Sequence, residues 1–201
     1  TNWPIDFPNV NLEFVGSTVD GIALNQQKNL VTTSSTWNAP SWNVSATSTT
    51  TVNNSNTINT AVTNQGTVTV NGQPNTWNNG FDNQGTFNIH RDFATINGPF
   101  QNRAGATLNL QHTSNCCSAQ LTLDSAFVNL GDITFNGNIN NGNYRSTLTV
   151  NRGTLVNAPG GAITFGPING TRTLAATLDN QGTITVNNRP ATIASPQNNA
   201  I

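Results

Sequence analysis

Charge is nearly missing from this chain. Lys and Arg number 7, Asp and Glu 8, and together they make up 7% of the 201 residues, where an ordinary soluble domain has about 25%. The net charge is −1. Six arginines and Lys28 are scattered, so no basic stripe can neutralise phosphates, and nucleic-acid binding is excluded. No apolar run approaches the roughly 20 residues that span a bilayer, which excludes membrane insertion by a helix. His90 and His112 are the only imidazoles, and neither has a second His at metal-binding spacing, so no metal or other cofactor is expected. Met is absent, and with Thr1 first the expectation is a chain whose leader has been cleaved as a secretory signal, a cleaved tag being the other source.

What is present is Asn, Thr, Gly and Ser, arranged as a repeat. Ala176 to Asn187 reads Ala-Thr-Leu-Asp-Asn-Gln-Gly-Thr-Ile-Thr-Val-Asn. Close copies run from Ala61 to Val70 and from Gly80 to Ile89, with looser ones at Phe100–Leu110, Phe127–Phe135 and Leu155–Phe165. The unit is apolar-x-Asn, a short gap, Gly, then x-apolar-x-apolar. Its Asn recurs at Asn64, Asn83, Asn102, Asn129, Asn157 and Asn180, spaced 19, 19, 27, 28 and 23 residues apart. A unit of about 20 residues with loop insertions marks a solenoid.

After each Gly the apolar residues alternate, as in Val68 with Val70, Phe87 with Ile89 and Ile163 with Phe165, so they share one strand face. A shorter strand before the Asn adds Val62, Phe81, Phe100, Phe127, Leu155 and Leu178 to the same interior. The corner glycines Gly66, Gly85, Gly105, Gly131, Gly161 and Gly182 are expected to supply unusual backbone angles. The six asparagines are expected to stack their amides into a hydrogen-bonded ladder. One winding cannot bury its own apolar face, so neighbours must stack. The expected fold is all-β, a parallel β-solenoid. Disorder is disfavoured because 34% of the residues are hydrophobic, at period two.

Three segments follow. Residues 1–31 depart from the repeat: Trp3, Ile5 and Phe7 lie in a proline-flanked extended stretch, and Val10, Leu12 and Phe14 alternate. This segment either caps the first winding or leaves its own subunit and adds a strand to a neighbour. Residues 32–189 form the solenoid, with irregular windings over 32–60, where Trp37 and Trp42 are either buried or offer flat faces to sugar rings. Outward loops are expected at 111–120 and 136–145, and residues 190–201 are a polar tail expected to fray.

Chemistry is sparse. Asp82 and Asp179 occupy the same place in their repeats and are the one candidate pair of catalytic carboxylates, solvated turn residues being the simpler reading. Cys116 and Cys117 are adjacent, which in an oxidising compartment predicts a vicinal or an intersubunit disulfide. His112 shares their loop, but an exposed, oxidised loop is preferred to a nucleophilic site. Sequons stand at Asn43, Asn53 and Asn169.

Asn64-Gln65-Gly66-Thr67-Val68, Asn83-Gln84-Gly85-Thr86-Phe87 and Asn180-Gln181-Gly182-Thr183-Ile184 resemble the windings of bacterial autotransporter and haemagglutinin-type exoprotein passenger regions. The resemblance implies a secreted right-handed β-helix used for adhesion or surface structure, and it carries over no catalytic residue. The leading expectation is therefore an extracellular or cell-surface structural protein, a self-assembling filament or matrix subunit or an adhesin module, without enzymatic activity and partnered by itself. A module that binds or processes extracellular polysaccharide is the second reading. An ice-binding protein is the third, resting on the outward column Thr67/Thr69, Thr86/Asn88, Thr107/Asn109, Asp132/Thr134, Ala162/Thr164 and Thr183/Thr185.

Overall fold

The computed structural model describes residues 5–7, 10–112, 117–137, 144–167, 170–187 and 190–194. Among these the regular elements are all strands, and they stack in parallel as a β-solenoid of about 8 turns. The repeat predicts two strands per winding, and the structure has three. After the second strand the turn at Asn71-Gly72 leads to Asn75–Trp77, which belongs to a column of its own.

The first column stacks Ile5–Phe7, Leu24–Gln26, Trp42–Val44, Val62–Asn64, Phe81–Asn83, Phe100–Asn102 and Phe127–Asn129 in register. The second stacks Leu12–Val15, Leu30–Thr33, Thr49–Val52, Thr67–Asn71 and their successors up to Thr183–Val186. The third runs from Thr18–Asp20 through Thr36–Asn38, Thr57–Ile58 and Asn75–Trp77 to Thr192–Ala194. Three long strands, Thr86–Ile96, Arg145–Asn157 and Thr171–Asn180, round a corner without breaking and serve two columns each. Residues ahead of position 32 thus wind in the same register as those after it. Thr192–Ala194 likewise pairs with Thr173–Ala175, and residues 195–201 lie outside the described residues.

Alternation decides what faces in. Val68, Val70, Phe87, Ile89, Leu108, Leu110, Ile133 and Phe135 are buried from the second column, and Phe81, Phe100 and Phe127 from the first. The third adds Trp37, Ile58, Trp77, Ile96, Leu123 and Val150, one per winding at a single register position. Register brings Phe135 onto Phe165 at 4.6 Å, while Phe81 on Phe87 at 4.3 Å and Trp37 on Trp42 at 4.5 Å stack between different columns. Each such ring, fully buried, contributes about 2–3 kcal/mol. Trp37 and Trp42 therefore face the core and present nothing to a sugar ring.

Candidate functional site

The inner corner between first and second columns holds the most ordered polar feature of the molecule. Asn64 Nδ2 donates to Asn83 Oδ1 at 2.8 Å, Asn83 to Asn102 at 2.8 Å, and Asn102 to Asn129 at 2.7 Å. Asn129 donates to Asn157 at 2.7 Å, and Asn157 to Asn180 at 2.7 Å. The second amide hydrogen goes to main-chain oxygens, from Asn64 to Thr86 at 2.9 Å and from Asn83 to Thr107 at 3.0 Å. Asn64, Asn83, Asn102, Asn129 and Asn157 are fully buried, so these bonds satisfy groups that would otherwise be costly. Below Asn64 the register position is Val44, which has nothing to donate, and Asn64 Oδ1 is left without a partner.

The glycines at this corner serve a different purpose from the one expected. Of the six, only Gly105 has a left-handed backbone, with φ of +77°. Gly66, Gly85, Gly131, Gly161 and Gly182 are needed because the preceding winding passes too close for a side chain. A Cβ on Gly85 would lie 2.2 Å from the Gly66 carbonyl oxygen, and one on Gly182 would lie 2.2 Å from that of Gly161. Gly105 also stands one residue early. The equivalent place in its winding is taken by the buried Ala106, whose carbonyl accepts the Asp132 N–H at 2.9 Å as the Gly66 carbonyl accepts that of Thr86.

Asp82 and Asp179 do share one outward column, but four strand spacings separate them, about 19 Å. That exceeds the span of a carboxylate pair flanking a glycosidic bond. Asp82 is instead held by Arg103, whose Nε donates at 2.7 Å, and by Gln84 at 2.9 Å. Partial burial pushes its carboxyl up, yet these hydrogen bonds and the Arg103 charge outweigh that and hold it below the usual range. The pair sits between two shallow depressions that share Pro99, Gln101 and Arg103, of about 200 and 440 Å³. Burial, helped by the charge of Arg91, lowers the pKa of His90, whose ring is half-buried near the bulge opposite Val70 and Asn71. No three His, Cys, Asp or Glu side chains converge among the described residues.

Trp3, Cys116 and Asn169 lie outside the described residues, so the expected cysteine bridge and that sequon lie outside them too. Cys117 is half-buried with φ of 76°. In the N-terminal segment, Ile5 and Phe7 pair through their main chain with Leu24 and Gln26, Leu12 and Phe14 pack partly against the core, and Val10 is exposed.

The third column carries a pattern that the repeat of Asn and Gly conceals. Its outward residues up to Thr149 are Thr18, Thr36, Thr57, Thr76, Thr95, Thr122 and Thr149, one above another in register, and Ala175 and Ala194 follow at the same position. Two residues on from each of these threonines stands an Asn or Asp. Asn38 donates to Asp20 at 2.6 Å, Asn59 to Asn38 at 2.7 Å, Asn78 to Asn59 at 2.6 Å and Asn97 to Asn78 at 2.8 Å. A search for Thr-x-Asn/Asp returns every member of this column from Thr18-Val19-Asp20 to Thr149-Val150-Asn151, but also second-column segments such as Thr69-Val70-Asn71 and Thr86-Phe87-Asn88, so the strand register is needed to pick it out.

Compared with family models, with curated proteins and with solved structures, the chain matches none.

Proposed function

We propose that this chain is a non-catalytic structural element of an extracellular assembly, a stiff rod that spaces or joins surface components and packs with copies of itself. The observation that carries this reading is the unbroken side-chain ladder from Asn64 to Asn180, laid inside three continuous parallel columns. Such a body resists bending and leaves proteases little irregular chain to grip. The secreted placement rests on the resemblance to exoprotein passenger windings in the Asn-Gln-Gly-Thr segments. Self-packing is supported by charge: between Lys28 and Asp82 no residue is charged, so neighbouring rods meet there without repulsion.

Negative-stain microscopy and sedimentation at rising concentration test the reading. Salt-insensitive polymers or bundles are expected, and a monodisperse monomer at every concentration would overturn the self-packing role.

A further inference from the structure

The outer side of the third column is the least explained surface of the molecule. Its seven threonine hydroxyls make no hydrogen bond to any described residue, although each stands beside a polar neighbour. The adjacent amides from Asn38 to Asn97 spend their donors on one another and are fixed in orientation. The result is a two-dimensional array. Along the rod, groups repeat at about 4.8 Å, the strand spacing, and across it Thr and Asn stand about 6.7 Å apart, two residues along a strand. Branching at Cβ restricts each threonine to few rotamers, so the array is stiff. Each threonine also carries a methyl group beside its hydroxyl, an apolar surface that leaves nearby water few partners other than its own lattice.

The second column, which the sequence pattern favours for the same purpose, carries a shorter run: Thr67, Thr86 and Thr107 stack there with hydroxyls not bonded to any described residue, three against seven. Around that run other outward groups bond to each other: Thr49 to Asn29 at 2.5 Å, Asn88 to Thr69 at 3.2 Å, Asn109 to Asn88 at 2.9 Å, and Thr134 to Asn109. Asp132 and Ala162 also interrupt it. On the third column the stretch from Thr36 to Asn97 has no charged residue in either row. A charge would hold water in its own orientation. Free hydroxyls at fixed spacing, beside locked amides and with no ion among them, call for a partner that is itself a regular array of oxygen atoms.

We infer that this Thr–Asn face binds ice, its two repeats lying close to those at which oxygen recurs in hexagonal ice. Water frozen onto the free hydroxyls joins the face to the crystal, and the rod holds it flat. The inference is independent of the structural role proposed above, since a rod that never self-associates still carries this face. Nanolitre osmometry and uptake into a growing ice hemisphere test it on the whole chain. A gap between melting and freezing points and incorporation into the ice are expected. Thr76→Lys and Thr95→Lys are expected to lose most of that gap, while Thr164→Lys on the second column, beside Ala162 and outside its short run, keeps it, all three with unchanged melting of the protein. Absence of any gap and exclusion from ice in the parent would overturn the inference, and so would equal loss in Thr164→Lys.

Discussion

The windings from Leu24 to Ile58 and those from Val62 to Phe165 share one backbone path and one register, yet they satisfy their interiors by opposite means. In the later windings the buried polar residues are a single row of asparagines together with Asn75 and Ser146, and the rest of the interior is apolar, chiefly Phe, Leu, Ile and Val. In the earlier ones the polar groups are spread through the core. Gln26 Oε1 accepts from Trp42 Nε1 at 3.1 Å and from Thr50 Oγ1 at 2.8 Å, and its Nε2 donates to the Lys28 and Thr49 carbonyls. Asn56 accepts from Thr32 at 2.8 Å and donates to Asn75 at 2.9 Å, and Trp37 Nε1 donates to Thr32 Oγ1 at 3.0 Å. Parallel register is therefore a property of the backbone and its alternation, and the inner polar residues are free to differ as long as each finds a partner. The two solutions meet between Val44 and Asn64, where one oxygen is left over.

The largest test of this contrast lies at the corner that precedes the second column. The later windings put Gly there, or Ala106 in one of them, while an earlier one puts Ser48, whose hydroxyl lies 2.7 Å from that of Ser45 and donates to the Gln26 carbonyl at 3.0 Å. Gly85→Ser drives a side chain into the Gly66 carbonyl and is expected to cost about 3 kcal/mol. Ser48→Gly loses hydrogen bonds only and is expected to cost about 1 kcal/mol. Equal losses in denaturant titrations would erase the distinction between the corners.

A middle-sized effect is expected in the ladder. Asn102→Ala takes the acceptor from Asn83 and the donor from Asn129, costing about 2 kcal/mol. Asn64→Ala removes one donor and also the orphaned oxygen, so about 1 kcal/mol or less is expected. Val44→Asn places a donor under that oxygen and should melt higher than Val44→Ala, despite burying an amide. If Asn64→Ala is the costlier of the two ladder variants, the ladder has no start at Asn64.

The smallest effect is one of pH. The pKa of His90 is lowered by burial and by Arg91, so the folded state favours the neutral ring. Its contribution is present above the unfolded value, about 6.5, and is lost as pH falls from there through the lowered folded value. The Asp82 carboxylate is also depressed, so its contribution persists above the ordinary carboxylate value and is lost at still lower pH. No titratable side chain lies between Lys28 and Asp82. Hydrogen exchange at about pH 7 and about pH 5 should therefore show protection falling near His90 and not over 29–60, with His90→Gln removing the change.

Much of this architecture was legible in the letters. Alternation around Val68, Phe87 and Ile163 named the second column, and the apolar residue two places before each Asn named the first. The third column was hidden because its inward residues, Trp37, Ile58, Trp77 and Ile96, stand singly among Thr and Asn, with turn signals on either side. The earliest windings were hidden because the corner Asn is replaced there by Gln26 and Val44, so the template finds nothing while the pairing continues. The other five corner glycines, unlike Gly105, answer not to backbone angle but to interwinding distance, a tertiary quantity which a single repeat does not display. The Thr–Asn face was passed over because outward polar residues are ordinary in strands, and only their stacking in register sets them apart.

Every amide in the inner row points its nitrogen toward the C-terminal end, so the group dipoles add and none cancels. The row begins on a bare oxygen at Asn64 and ends on the exposed nitrogen of Asn180. In a chain with almost no net charge, this row thus has an electrically negative foot and a positive head along the stacking axis, a polarity written in side chains.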